Sequence, residues 1–319
     1  MRNSFTSSFS GYLRRMLLAL ATVLTAALAA SVALVRYVVE PNDRVVQGLH
    51  LMQQATASNG AFGDSHFAWG FVGSPDFPTF AGEGETIADM ELRIRYYFRN
   101  RRPGQVIVQG DPHAFAAYKL DRQTHGYLAN LDNPTFTQRV LDHHRQYLYL
   151  YWGSVLEGGF ASFRGASELK WGWILAQEQW WSKVDPSKRV GEANARMEHQ
   201  MPVADVRTSP FAASFARTLA FLESRGASVC VVTTPVTYEY FRFASDDPRT
   251  QAALQLIRET AAAEGARYVD LLDLYARPQF AGYFRDPDHL NRTGAPLFTE
   301  RAIAACFGSA RGTVVTSTN

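Results

Sequence analysis

At 319 residues, 46% of them hydrophobic and 19% charged, the chain has an ordinary globular composition and enough apolar material for a sizeable core. Its formal charge of +2 is dispersed, with no run of Lys and Arg able to track a phosphate backbone, which argues against nucleic acid as a partner. Its two cysteines, Cys230 and Cys306, lie far apart without CxxC spacing, so neither a zinc cluster nor a disulfide framework is encoded; a single bridge stays open, and Cys230, in an apolar strand-like run, reads more simply as core.

From Met16 to Val35 the stretch "MLLALATVLTAALAASVALV" is twenty residues without a charge. At about 1.5 Å per residue it can cross about 30 Å of hydrocarbon. Arg2, Arg14 and Arg15 precede it without an acidic residue, whereas Glu40 and Asp43 follow it, so the positive-inside bias puts the N-terminus in the cytoplasm and the bulk of the chain across the membrane. The alternative is a cleaved signal peptide, because "AALAAS" offers small-residue cleavage positions. The expected organisation is a cytoplasmic tail (1–15), a transmembrane anchor (16–38), a juxtamembrane linker (39–58), a folded domain (59–308) and a polar tail (309–319).

Within the folded domain, strand-like and helix-like segments alternate, the pattern of an α/β layer fold with parallel strands. "GAFGDS" reads as a short strand ending in a tight turn, and "FPTFAGEG" as a second strand closed by Gly82 and Gly84. A helix from Thr86 to about Asn100 follows, with Met90, Ile94 and Tyr97 on one face; its basic run "RIRYYFRNRR" reads as solvated surface or as a face toward anionic headgroups or an anionic polymer. "QVIVQGD", "ASVCVVTTP" and "ARYVDLLDL" supply three more strands, the last two preceded by the helices "FAASFARTLAFLESRG" and "QAALQLIRETAAAEG". A helix from about Gly294 to Cys306 closes the domain. The expected fold is a doubly wound, parallel five-stranded sheet in a flavodoxin-like three-layer arrangement.

Between the third and fourth strands, from about 116 to 205, the spacing breaks into a helical, aromatic-rich insert containing "HHRQYLYLYWGSVLEGGF" and "LKWGWILAQEQWW". Five of the six tryptophans lie between Trp152 and Trp181. They form either the core of a small subdomain, a platform on which Trp171 and Trp173 stack sugar rings, or a surface against headgroups or a membrane partner. The adjacent His143 and His144 diverge by about 100° on a helix, a poor arrangement for one metal ion, and neither metal nor cofactor is expected.

Two short motifs carry chemistry. In "GDSH", Ser65 has neighbours, Asp64 and His66, that point away from it, so a base must come from elsewhere. In "DPDH", Asp286 and His289 are three apart in a turn, a spacing that lets the carboxylate fold back onto the imidazole. A serine hydroxyl needs an imidazole to accept its proton, and the imidazole needs an acceptor to fix its tautomer. Asp288 directly precedes His289 and would have to bend sharply to reach it, so Asp286 is the preferred partner. Ser65 follows the first strand and His289 the last, which places both at the carboxyl edge of a doubly wound sheet.

These blocks resemble the SGNH (GDSL-like) hydrolase family, with "GDS" matching its nucleophile block and "DPDH" its acid–base block. The resemblance implies an oxyanion hole from the N–H groups of Ser65 and Gly82, completed by an asparagine in a G-x-N-D block. Here "QGDPH" puts Pro112 in that position, leaving a two-pronged hole or one completed by His113 or by the insert. With its single anchor, the chain is similar to members that accompany membrane-bound O-acyltransferases in D-alanyl transfer or exopolysaccharide acetylation. That resemblance implies an extracytoplasmic serine O-acyltransferase acting on a cell-surface polymer through an acyl-Ser65 intermediate, with a membrane-bound O-acyltransferase as partner. The alternatives are an SGNH-type esterase and a non-catalytic glycan-binding or assembly subunit.

Overall fold

The computed structural model describes residues 5–34, 37, 44–122, 169–174 and 180–308. The pair His143 and His144, Trp152 and most of the expected insert lie outside them. The chain divides into two compact units, Met1–Gln47 with Pro134–Ala166 and Gly48–Asn133 with Ser167–Asn319.

In the first unit, helix α1 runs from Phe5 to Leu34, beginning earlier than the expected 16–38 anchor. Its stretch Ser10–Leu34, 25 residues of mean hydropathy 2.3, is long and apolar enough to cross a membrane. The hydroxyls of Thr22 and Thr25 donate to the carbonyls of Leu18 and Ala21 four residues back, so these two polar groups are satisfied without water.

The second unit contains a five-stranded sheet, all parallel, in the order β2-β1-β3-β6-β7. Its strands are β1 (Gly60–Gly63), β2 (Thr79–Ala81), β3 (Gln105–Gln109), β6 (Ser228–Val232) and β7 (Arg267–Val269). All five expected strands are present. Side chains alternate across the pleat: Phe62, Val106, Val108, Val229 and Val231 enter one core, whereas Ala61, Ile107, Cys230 and Val232 enter the other. Both faces are thus apolar, as a sheet covered by helices on each side requires. Helices α4 (Ile87–Phe98), α7 (Pro210–Ser224) and α9 (Pro248–Ala263) supply most of the first core; α3 (Ser65–Gly70) and α10 (Gly294–Phe307) cover the second face. Thr86, Ser209 and Asp247 cap α4, α7 and α9 through their side chains, which fixes where each helix starts.

Four sequence expectations change. The expected linker holds helix α2 (Arg44–Gln54), whose Leu49 and Met52 are buried in the first core, so from there on the segment is part of the domain. Arg93, assigned to a solvated face, is buried and paired with Glu85, a cost offset by the bidentate ion pair. Cys230 is both core and bridged, forming a disulfide with Cys306 in the last turn of α10 across a Cα–Cα distance of 5.7 Å. Finally, "LKWGW" is not helical: β4 (Leu169–Lys170) and β5 (Trp173–Ile174) pair antiparallel around a two-residue turn in which Trp171 and Gly172 have φ of 52° and 89°. Two left-handed residues are what a tight hairpin demands, and at Gly172 a Cβ would strike the carbonyl of Thr79.

The insert leaves and re-enters the sheet at one point. Ala116 bridges Pro202, and Val203 N–H donates to the carbonyl of Phe115 at 3.0 Å. Its described α-helices are α5 (Ala117–Leu120) and α6 (Pro186–His199), and the latter packs on α8 (Tyr238–Ala244).

Candidate active site

The sheet order reverses direction between β1 and β3, the place where doubly wound sheets open a crevice at their carboxyl edge. Ser65 stands there. Strand β1 ends at Gly63, where any side chain would collide with Gln109 on β3, so only glycine lets the two strand ends close. Asp64 then caps the following helix, its Oδ1 accepting from His66 N–H at 3.0 Å. Ser65 is therefore the first residue of α3, half-buried, at a position whose backbone N–H has no partner within the helix.

His289 arrives on the loop between β7 and α10. An isolated bridge pairs Phe284 with Leu290, and Arg285 N–H donates to the carbonyl of His289 at 3.0 Å, folding 284–290 into a compact turn. Inside it, Asp286 accepts from the backbone N–H groups of Asp288 and His289 and lies 3.0 Å through either oxygen from His289 Nδ1. The other ring nitrogen, Nε2, is 3.0 Å from Ser65 Oγ. With Nδ1–H donating to a carboxylate, Nε2 carries the lone pair and accepts from the hydroxyl. The structure thus brings Ser65, His289 and Asp286 into one chain of hydrogen bonds.

His66 and Asp288, which the sequence leaves aside, meet in a buried network behind this chain. His66 places Nδ1 3.1 Å from Asp111 and 2.9 Å from Thr234 Oγ1, and Nε2 3.0 Å from Asp288. Asp288 also accepts from Arg196 Nε at 3.1 Å and from Gln200 at 2.6 Å; it is 3.4 Å from His289 Nδ1, farther than Asp286. Burial alone would neutralise His66, but its hydrogen bonds to Asp111 and Asp288 outweigh that and push its pKa up to about 10, so it is an imidazolium. Burial likewise opposes the charge of Asp288, yet His289, His66 and Arg196 hold its carboxyl well below the usual range.

His113, one of the groups offered above to complete an oxyanion hole, is engaged in this buried network. Its ring stacks on His66 with centroids 3.9 Å apart, and its Nε2 is 2.7 Å from Asp64 Oδ2, an oxygen that also accepts from the Lys119 ammonium. Burial, reinforced by the charge on His66, depresses its pKa and keeps it neutral. The sequence signal was the proline itself: Pro112 opens a 3₁₀ turn, Pro112–Phe115, that rotates the following histidine inward. Asp64, His66 and His113, and likewise His66, Asp288 and His289, have ligand atoms within 4.8 Å of one another, the spacing of a metal site. These atoms are already spent on one another, and at Asp64 a metal ion would compete with the Lys119 ammonium.

Ser65, Asp286 and His289 open onto a cleft of about 230 Å³, whose wall also includes Glu83, Gly84, Arg122, Arg196 and Arg285. Gly82, the second expected oxyanion donor, precedes Glu83 in the chain and is not itself among the residues of that wall. Trp173 is buried, its indole N–H donating to the carbonyl of Trp69 at 2.8 Å; it is a packing residue and not a sugar platform. Trp171 is exposed at the hairpin tip, outside the cleft's wall, and its carbonyl accepts from Thr79 N–H at 2.9 Å.

The site therefore belongs to an α/β protein with a serine, a histidine and an aspartate in hydrogen-bonded series at the carboxyl edge of a parallel sheet. No protein-family model matches the sequence, and no curated protein matches it. Among solved structures, the chain is similar to the lipase/acylhydrolase from Enterococcus faecalis, at 13% identity over 77% of this chain and 94% of that one, with a TM-score of 0.38. So remote a likeness adds nothing to what the geometry establishes.

Proposed function

We propose that the chain is a serine-dependent acyl-transfer enzyme that works through an acyl-Ser65 intermediate. The observation that carries this reading is the series Ser65 Oγ, His289 Nε2 and Nδ1, Asp286, each link at 3.0 Å. In the proposed reaction, Ser65 Oγ bonds to an ester carbonyl carbon as its proton passes to His289 Nε2. Asp286 stabilises the imidazolium so formed, and the tetrahedral oxyanion sits against the N–H of Ser65, with Gly82 as second donor. Collapse breaks the carbon–oxygen bond to the leaving alcohol, which takes the proton from His289. A second hydroxyl, deprotonated by His289, then attacks the acyl-serine and restores the enzyme.

The second hydroxyl belongs to a surface polymer in an O-acyltransferase and to water in an esterase. Helix α1 favours transfer, because a membrane-anchored domain on the extracytoplasmic side is held beside an acyl donor delivered through the bilayer, such as a membrane-bound O-acyltransferase would supply. A disulfide is consistent with that compartment. A scaffold retained only for glycan binding has no need of an oriented base beside Ser65.

A fluorophosphonate probe applied to the full chain in detergent tests the reading. Labelling is expected at Ser65, absent in Ser65→Ala and sharply reduced in His289→Ala. Undiminished labelling of the Ser65 variant would show that the nucleophile lies elsewhere. Retention in membranes after a carbonate wash tests the anchor, and release with a shortened N-terminus would replace it by a cleaved signal. Transfer is read from the mass gain of an added oligosaccharide when an acetyl ester is consumed; turnover indifferent to any sugar would assign the esterase.

A further inference from the structure

Three arginines line the cleft that holds Ser65. Elsewhere in the domain some arginines are fully engaged, as where Arg93 forks onto Glu85 and Arg217 gives Nε and Nη2 to Glu91, while Arg95 and Arg101 each keep one hydrogen bond and one ring face. Arg225 is satisfied by three backbone carbonyls. In the cleft, three guanidinium groups are held in place by one atom or one face. Arg196 gives only its Nε to Asp288, leaving its terminal N–H groups on a side chain 36% exposed. Arg122 is fixed by one bond from Nη1 to the carbonyl of Gly84 at 2.7 Å and lies over the Tyr118 ring. Arg285 lies flat on the Trp69 indole, 3.7 Å from its centroid, and its buried Nε has no hydrogen-bond partner among the described residues, although Asp286 is 3.4 Å away.

The acidic residues of the same wall each hold a partner besides these guanidinium groups, although Asp286 also forms an ion pair with Arg285 Nε. Asp286 faces His289, and Glu83 accepts from the indole N–H of Trp69 at 3.0 Å. Orienting a long cationic side chain without using its fork is costly in rotamer freedom and brings no stability of its own. The guanidinium fork matches a carboxylate or phosphate through paired N–H donors, and in a recessed cleft such a pair is screened less than at an open surface.

We propose that the ester or acceptor bound at this site carries an anionic group, a carboxylate or a phosphate, received by Arg122, Arg196 and Arg285 while the reacting ester or hydroxyl lies at Ser65. This rests on the reading that Ser65 performs acyl transfer, and it adds the class of substrate: an acidic glycan or a phosphate-bearing polymer in preference to a neutral one. Phosphate and carboxylate share the chemistry of recognition, and only comparison of substrates separates them.

The test compares three acetylated probes on the full chain in detergent: a neutral oligosaccharide, an oligouronate and a glycerol phosphate oligomer. At least one anionic probe is expected to exceed the neutral one in kcat/KM by about tenfold or more, the worth of one charge-assisted pair. The preference is expected to sit mainly in KM and to shrink in 0.5 M salt. Arg122→Gln, at a residue held by Gly84 and Tyr118 and not by the Ser65–His289 pair, and Arg285→Gln are each expected to lower the ratio of anionic to neutral turnover. The better anionic probe identifies the source of the charge. Equal use of all three probes, or a proportional loss on neutral and anionic probes in both variants, would overturn the proposal, since a group serving the oxyanion or the fold affects every ester alike. Absence of Ser65-dependent turnover on every probe would instead refute the acyl-transfer reading. In that case binding decides the present proposal: the Ser65→Ala chain titrated with the unacetylated oligouronate and glycerol phosphate oligomer must show saturable, Arg122-dependent and salt-sensitive binding to one of them, and no such binding overturns it.

Discussion

Replacing His66 by glutamine should remove a stabilisation that depends on pH in a definite direction. In the folded protein the imidazole is raised from 6.5 to about 10 by its hydrogen bonds to Asp111 and Asp288, which prevail over burial. Because the folded value is the higher one, the contribution is fully present below pH 6.5. It declines by about 1.4 kcal/mol per pH unit as pH rises and is gone above about 10. The interval corresponds to about 5 kcal/mol, and His66 is buried enough that solvent screening does not reduce it. The assay is urea unfolding of the detergent-solubilised chain and its His66→Gln variant at pH 6.5, 8 and 9.5, followed by tryptophan fluorescence. The variant should be several kcal/mol less stable at pH 6.5, with the gap closing toward pH 9.5. Taking the difference between the two proteins cancels groups that titrate alike in both. His113 does not cancel, since the charge on His66 helps to depress it, and its pKa should rise in the variant. A gap that stays constant across this range would mean that His66 is neutral in the fold and that the buried network has been misjudged.

Asp286→Asn should lower kcat/KM for an ester by about 10⁴-fold by disturbing the tautomer of His289, whereas Asp288→Asn should cost less activity but about 3–5 kcal/mol of stability, having unpaired a buried charge; the opposite ordering in kinetics and urea unfolding would exchange their roles. Replacing Cys230 and Cys306 together by alanine opens a loop of 76 residues, for which chain entropy gives about 4.5 kcal/mol, and the loss should appear as a lower urea midpoint absent when the wild type is measured in reductant. Trp173→Ala should destabilise by about 3–5 kcal/mol, while Trp171→Gly, which relieves a left-handed φ, should stabilise by about 1 kcal/mol; thermal unfolding separates the two.

The layered fold was legible because its signals are local. Alternating apolar residues in "QVIVQ" and "SVCVV", and the 3.6-residue period that sets Met90, Ile94 and Tyr97 on one face, each fit within a single element. The meeting of Ser65 with His289 could be anticipated from the parallel topology, which collects strand ends at one edge. What was not legible depends on residues brought together from distant segments. Asp64, Asp111, Thr234 and Asp288 converge on His66 and its neighbour His113 from four separate loops, and no spacing in the chain announces them. The same holds for Arg122, Arg196 and Arg285, which come from just beyond the end of α5, from α6 and from the His289 turn. The tryptophan hairpin was missed because the aromatic run masked the requirement for two left-handed residues at Trp171 and Gly172.

The bridge between Cys230 and Cys306 encloses Arg285, Asp286 and His289 in a covalent ring, while Ser65 lies outside it. The proposed nucleophile and its base are therefore fastened to the sheet by different means: Ser65 by the short turn that follows β1, His289 by a loop whose far end is stapled to β6. In a compartment that keeps thiols reduced, the first fastening is intact and the second is not. Newly made chains would then hold the acid–base half of the site on a longer tether until the bridge closes.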